Sequence, residues 1–421
     1  MFRKTTMQSG LRVLTQQLKG TKAVTVLVLV GAGSRYENHE KRGLSHFLEH
    51  MFFKGAEKYE NTKEVSEAID SVGGTFNAFT GKEYAGYFVK VASENAEVAM
   101  DVLSDMMKNS KFKQEEIEKE RGVILEEYNM YQDTPMYQIG WDFEGLIFGD
   151  QPLGWDQIGT RDVINSLGHD DFVKYKDALY VPDNTVVAVV GNIEHEAAVS
   201  FVQEYFDMEQ KEKAFDFKAL EDISGPKVSL KNKKTEQAHI AVGFPGLSER
   251  DNDHWVLKLL SVILGGNMSS RMFLNIREAN GLAYYIHTST DNYVDGGVIV
   301  TNAGVDLKRM DNAVTGIIAE YKRIREEIIY PKELKKAKSY LKGKMVLSLE
   351  DSEEYAHLLA KYELLHDKAT SPEEIMKRID AVNSEDIKRI ANKLLVPEKM
   401  KLAVIGPYDD EEHLKSLLKF E

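Results

Sequence analysis

The chain contains no cysteine, which removes disulfide staples, thiolate metal sites and cysteine nucleophiles and leaves His and carboxylates as the possible holders of a metal ion. Positive charge is scarce, with 54 Lys and Arg against 68 Asp and Glu and a formal net charge of −14. Nucleic acids and anionic membranes need a basic face, so both are disfavoured as partners, whereas peptides carrying basic residues are attracted. Long apolar runs are missing too. The longest, VTVLVLVGAG at 24–33, is too short for a membrane span and predicts a buried strand. The preceding MFRKTTMQSGLRV is polar and passes directly into a first predicted hairpin, so no secretory leader is expected and a cytoplasmic location follows. GAGS at 31–34 lacks the rest of a dinucleotide fingerprint, and neither a G-x4-G-K-[ST] phosphate loop nor a G-x-S-x-G nucleophile elbow occurs. What is there is globular: 421 residues, 43% hydrophobic and 29% charged, enough for more than one domain with ample core.

The chain is written twice. At an offset of about 215 residues, AVTVLVLVGAGSRYEN, a helix and GTFNAFTGKEYAGYFVKV are answered by AHIAVGFPGLSERDND, a helix and GLAYYIHTSTDNYVDGGVIV. The half-ends match best, with Pro182 answering Pro397 and Gly191 answering Gly406. This predicts an α+β fold of two homologous domains, each an antiparallel sheet with helices packed on one face. The boundaries are 1–207 and 228–421. The charged segment 208–227, which contains Gly225-Pro226, is the expected linker.

One feature is not duplicated. HFLEH at 46–50 sets His46, Glu49 and His50 at i, i+3 and i+4, on one face of a helix about one turn apart. Two imidazoles so spaced can hold one zinc ion, and Glu49 stands where a carboxylate takes a proton from a water on that ion. The string is H-x-x-E-H, the inverted form of the commoner zinc peptidase signature. Leu44, Phe47, Leu48, Met51 and Phe52 form an apolar stripe beside it, where unpaired imidazoles are costly and a metal satisfies them. The second half reads VLKLLSVILGG at the corresponding place, so one site per chain is expected.

A catalytic zinc normally takes three protein ligands and a water. The third is sought in FKQEEIEKERGVILEEYNMYQ at 112–132, an acidic predicted helix with Ile117, Ile124 and Leu125 turned inward. Glu120 and Glu127 lie within ~20° of each other around such a helix, and Glu126 is turned ~100° from Glu127. Spacing alone leaves Glu120, Glu126 and Glu127 open. The corresponding run in the second half, KELKKAKSYLKGK at 332–344, is basic.

HFLEH followed by ERGVILEE, together with GSRYEN, GTFNAFTGKEYAGY and SSRMFLNIREANGLAYY, resembles the pitrilysin-type inverted-zincin metallopeptidases over essentially the whole chain. The short branch, which includes mitochondrial processing peptidase and its bacterial relatives, is the most similar. The resemblance implies a zinc endopeptidase for extended peptides or unstructured protein segments. It implies His46, His50 and Glu127 as ligands of one Zn2+ per chain, Glu49 as general base and Glu120 as an acid behind the ligands. It further implies a substrate-pairing edge strand around Asn77, Ala78 and Phe79, and Arg277 and Tyr284 as oxyanion-stabilising groups. By position alone Tyr285 competes with Tyr284 as the inward residue. A working clamshell of two such chains is implied, as a homodimer or a heterodimer with a related chain. The rival reading is a non-catalytic peptide-binding or scaffold subunit, and a purely structural zinc site is disfavoured by the spare carboxylate.

Overall fold

The computed structural model describes all residues except 222–224, 226 and 421, so the Pro226 half of the predicted linker breaker lies outside the described residues. The strands are β1 (Arg3–Thr6), β2 (Arg12–Gln17), β3 (Ala23–Val30), β4 (Thr75–Thr80), β5 (Ala85–Ala92), β6 (Thr185–Gly191), β7 (Val228–Asn232), β8 (Ala238–Pro245), β9 (Ala283–Asn292), β10 (Gly297–Val305) and β11 (Lys401–Gly406). They form two sheets, ordered β1-β2-β6-β3-β5-β4 and β7-β11-β8-β10-β9. From β2 and from β7 onward the two orders are the same, which is the repeat in three dimensions. Pro182 and Pro397 each open a short 3-10 turn, and Gly191 and Gly406 each close the strand that follows.

Each sheet is antiparallel apart from one pair, β2 with β6 and β7 with β11. The reason is topological. The last strand of each half inserts between β2 and β3 or between β7 and β8, and because it runs antiparallel to β3 or β8 it runs parallel to β2 or β7.

The long apolar run at 24–33 is β3, buried on both faces as its sequence predicts. Leu27 and Leu29 pack with Leu14, Phe88, Val186, Ala188 and Val190 against Ala356, Leu359 and Ala360 of a helix at Ser352–His366. This helix comes from the second half of the sequence. The Thr25 and Ser352 hydroxyls bond at 2.8 Å and Lys90 Nζ reaches Asp351 at 2.7 Å. The second sheet is covered in the reciprocal way. Ile139, Phe143, Ile147 and Phe148 of the helix Pro135–Phe148, from the first half, pack on Ala241, Val298, Val300, Ala403 and Ile405. The chain accordingly separates into one compact unit of 1–128, 156–218 and 345–372, and another of 129–155, 219–344 and 373–421. Burial of apolar faces, not order along the chain, decides which unit each helix joins. No helix among the described residues is long and apolar enough to cross a membrane.

Candidate metal centre

The motif helix, Leu44–Phe52, buries Leu44, Ser45, Phe47, Leu48, Met51 and Phe52. That apolar stripe fixes its rotation and leaves His46, Glu49 and His50 to one side. The residue before its first turn must be glycine: Gly43 has φ +88°, and a Cβ there would lie 2.3 Å from the Ile158 carbonyl oxygen. Glycine brings no capping side chain, and Glu37 supplies the cap from the preceding loop. Its carboxylate accepts the Gly43 N–H at 2.8 Å, the Ser45 N–H at 2.7 Å and the Ser45 hydroxyl at 2.5 Å. Burial pushes the Glu37 carboxyl up to about 7, against these bonds and the charge of Lys82. Beside it Arg35 is buried in an ion pair with Glu83. GSRYEN is thus a clamp on the motif helix.

The acidic helix, Gln114–Asp133, buries Ile117, Glu120 and Ile124. Leu125, expected inward with them, is only half-buried. The three carboxylates left open by spacing are separated here. Glu126 is exposed. Glu127 reaches toward both imidazoles, Oε1 at 3.7 Å from His46 Nε2 and Oε2 at 3.7 Å from His50 Nε2. Glu120 goes behind His50, accepting from Nδ1 at 2.8 Å while its other oxygen pairs with Lys54 Nζ at 2.6 Å.

These distances decide what the cluster can do. A separation of 3.7 Å is too long for a hydrogen bond. It is close to the ~3.3 Å between two donors that share a tetrahedral zinc at ~2.0–2.1 Å. One donor atom from each of His46, His50 and Glu127 lies within 4.8 Å of the others. His46 Nδ1 is buried without a hydrogen-bond partner, so the cluster does not satisfy itself. Burial, and then repulsion from His50, lower the His46 pKa to about 3 and keep the ring neutral, as a ligand must be. For His50, burial opposes the charged form, but the Glu120 bond and the charges of Glu49, Glu120 and Glu127 raise its pKa overall. The Glu120 bond places the Nδ1 proton and leaves the Nε2 lone pair facing Glu127. Burial also opposes ionisation of Glu120, yet its bonds from His50 and Lys54 hold the carboxyl below its ordinary range. The residues present fit a divalent ion of borderline softness such as zinc.

Glu49 accepts a short hydrogen bond from the Thr80 hydroxyl. Burial raises its pKa; the Thr80 bond and His50 work against this, and Glu127 adds to it. Thr80 ends β4, which is the edge of its sheet. Asn77 of that strand is exposed and Ala78 and Phe79 are half-buried. Arg277 and Tyr284 belong to the other compact unit. Arg277 sits in a π-helical turn, Phe273–Ala279, with its guanidinium 4.7 Å from the Phe273 ring centroid. Gly281 at φ +57° closes the turn, and Tyr284, 59% exposed, is the second residue of β9. Its rival Tyr285 is engaged on the opposite face of the strand, its hydroxyl 2.9 Å from His239 Nδ1.

Three contributors are not singled out by sequence reasoning. Thr80 lies one residue past the strand segment around Asn77–Phe79, and Lys54 lies four residues after His50, a helical spacing that could have pointed to it. Glu37 carried no signal, because a long-range cap has no sequence period.

Known proteins are similar to this chain over nearly its full length. Residues 12–140 match the family described as Insulinase (Peptidase family M16), and residues 166–341 match the Peptidase M16 inactive domain. A protein of Bacillus subtilis named an uncharacterized zinc protease is 36% identical over 97% of this chain and 98% of its own length. One of Streptomyces coelicolor with the same description is 34% identical over 97% and 90%. Among solved structures, a protease from Helicobacter pylori superposes with a TM-score of 0.88 at 24% identity over 97% of this chain and 99% of that one. A peptidase M16 inactive domain from Pseudomonas fluorescens gives 0.89 at 17% identity over 97% and 98%. These two structures bear on the fold alone. Sequence similarity along nearly the full length, over a motif helix of H-x-x-E-H type, places this chain in the M16 peptidase family, the pitrilysin-type metallopeptidases.

Proposed function

We propose that the protein is a zinc-dependent endopeptidase acting on extended peptides or unstructured protein segments, with one zinc ion per chain held by His46, His50 and Glu127. The observation that carries the reading is the trio of donor atoms within 4.8 Å of one another, with the half-buried Glu49 carboxylate on the same helix face. Zinc bound there supplies Lewis acidity, lowering the pKa of a coordinated water toward ~7 and polarising the scissile carbonyl.

The chain's own residues do the rest. Glu49 takes the proton of the attacking water and delivers it to the leaving amine. Burial moves its pKa toward the operating range of such a base, and the Thr80 bond orients it. Glu120 holds the His50 ring in the tautomer that coordinates. β4 receives the peptide as an added strand through the backbone around Asn77, Ala78 and Phe79, which fixes its register without reading its sequence. Arg277 and Tyr284 donate hydrogen bonds to the negative charge developing on the carbonyl oxygen. The working assembly pairs this chain with a second M16 chain, either a copy or a relative.

The test is zinc content and cleavage of a quenched, mixed-sequence unstructured peptide by wild type and Glu49→Gln. Both should hold zinc, and kcat of the variant should fall by roughly 10²–10⁴-fold. If zinc-loaded wild type cleaves nothing even when co-purified with a related chain, the protein is a peptide-binding subunit and the reading falls. The match of residues 166–341 to an inactive domain does not favour that outcome, since the motif lies at 46–50.

A further inference from the structure

The first unit has a cavity of about 290 Å3 on the face of its sheet away from the motif helix. Strand alternation puts it there. Thr80 reaches Glu49 and Phe76 reaches Phe53, ring centroids 5.6 Å apart, so the even-numbered side chains of β4 face the metal cluster. Phe79 turns the other way, its ring 5.3 Å from His357 and 6.3 Å from Tyr84. It lies flat over β5 because its partner there is Gly86, where a Cβ would stand 2.2 Å from the ring. Leu27 and Phe88 also line the cavity, and Glu353 and Glu354 bring two carboxylates to it. Glu353, Glu354 and His357 all sit on the Ser352–His366 helix, the one contributed by the second half of the sequence.

An extended peptide added along an edge strand directs alternate side chains to opposite faces of the sheet. If β4 receives substrate, as the peptidase reading has it, residues beside Phe76 and Thr80 face the metal, and those beside Asn77 and Phe79 face this cavity. The walls select the occupant. Four rings and an apolar floor suit a long stem, and rings attract a cation over their faces. Two carboxylates require a positive head, and no Lys or Arg lines the cavity among the described residues. Burial, followed by the charge of Asp351, raises the Glu353 pKa, the condition of a carboxylate short of cations. Lys90, which counters this, is bonded to Asp351. His357 does not neutralise the acids, because burial and then Lys361 lower its pKa to about 4.

We propose that this cavity is a substrate subsite that takes an arginine or lysine side chain of the peptide laid along β4. The inference rests on the strand-addition part of the peptidase reading. It makes the enzyme's register selection depend on a helix from the far half of the chain, on the side of the sheet opposite the chemistry.

The experiment uses the full zinc-loaded chain and one parent quenched peptide in which a single Arg is moved position by position along a Gln background. Wild type should favour Arg over Gln at one position by about 10-fold in kcat/KM, and the ratio should collapse toward one in Glu353→Gln/Glu354→Gln. The single Glu353→Gln should give an intermediate ratio. Because a ratio is read, lowered activity in a variant does not obscure it. Cleavage with no positional Arg preference, or with one that the double variant keeps, overturns the subsite while leaving the peptidase reading intact. If wild type cleaves no peptide, the peptidase reading fails, and fluorescence anisotropy of the same labelled peptides on Glu49→Gln decides the subsite. Tighter binding of an Arg peptide, lost in the Glu353→Gln/Glu354→Gln background, supports it, and equal affinities overturn it.

Discussion

The motif helix Leu44–Phe52 and the helix His254–Gly265 hold corresponding places in the two units, each between the second long strand of its half and the hairpin that follows. The first buries one stripe and turns two imidazoles and a carboxylate aside. The second buries ten of its residues, Leu259 through Gly265 without interruption, with Leu and Ser where the first has its polar trio. Their companions diverge as well. The acidic helix Gln114–Asp133 sends Glu120 and Glu127 to the imidazoles, while Pro331–Ser348 is rich in lysine. One scaffold thus carries a cluster of candidate metal ligands in one unit and plain core in the other, and a few donors make the difference. A helix buried all round has no face left for a ligand.

The comparison can be broken most directly at His50. His50→Ala should take zinc from about one ion per chain to none and abolish cleavage, because two donors do not retain a catalytic zinc. Elemental analysis after gel filtration checks this. Metal remaining in the variant would place a second site in the other unit and end the asymmetry.

A sharper contrast lies in how the two helices begin. Glu37 caps the motif helix from a buried position, and its carboxyl is pushed from 4.5 to about 7 by burial. The folded state therefore binds this proton more tightly than the unfolded chain does. The resulting stability is fully present below pH 4.5 and is lost as pH rises through about 7. Wild type should lose up to roughly 3 kcal/mol across that window relative to a Glu37→Gln variant, whose own profile lacks this slope. Urea unfolding at pH 5 and pH 8 measures the difference.

At the start of the other helix Asp253 makes no cap bond to the helix and instead meets Arg389 at the surface in a bidentate pair of 2.7 and 2.8 Å. Asp253→Asn should cost about 1 kcal/mol or less, and less still in high salt. A loss in thermal unfolding as large as that of Glu37→Gln would show the two helix starts to be energetically alike.

Much of this was legible in the sequence because it is periodic or local. The unbroken apolar run of β3, the stripe of the motif helix and the i, i+3, i+4 spacing of His46, Glu49 and His50 are set within a dozen residues. The repeat announced two sheets of one topology. Choosing Glu127 over Glu126 and Glu120 was beyond spacing, since it depends on where the acidic helix docks. The Glu37 cap was invisible for the same reason: its partners are fixed by a loop path that includes Gly43 and Ile158. The parallel pairs β2/β6 and β7/β11 were likewise hidden, because strand order within a sheet is a property of the whole half. Least legible was the exchange of Pro135–Phe148 and Ser352–His366. A repeat reports ancestry, and packing follows whichever apolar face is uncovered.

That exchange has a consequence for how the molecule comes apart. A protease that nicked the chain between the halves would leave two fragments that remain entangled, each carrying a helix folded into the other's unit. Made separately, either fragment would present a bare apolar sheet face, Leu14, Leu27, Leu29 and Val190 on one and Ala241, Val298, Val300 and Ile405 on the other. The stretch of chain that was duplicated is therefore not the stretch that folds, and once the two copies were joined, neither could be cut loose again without exposing its partner's core.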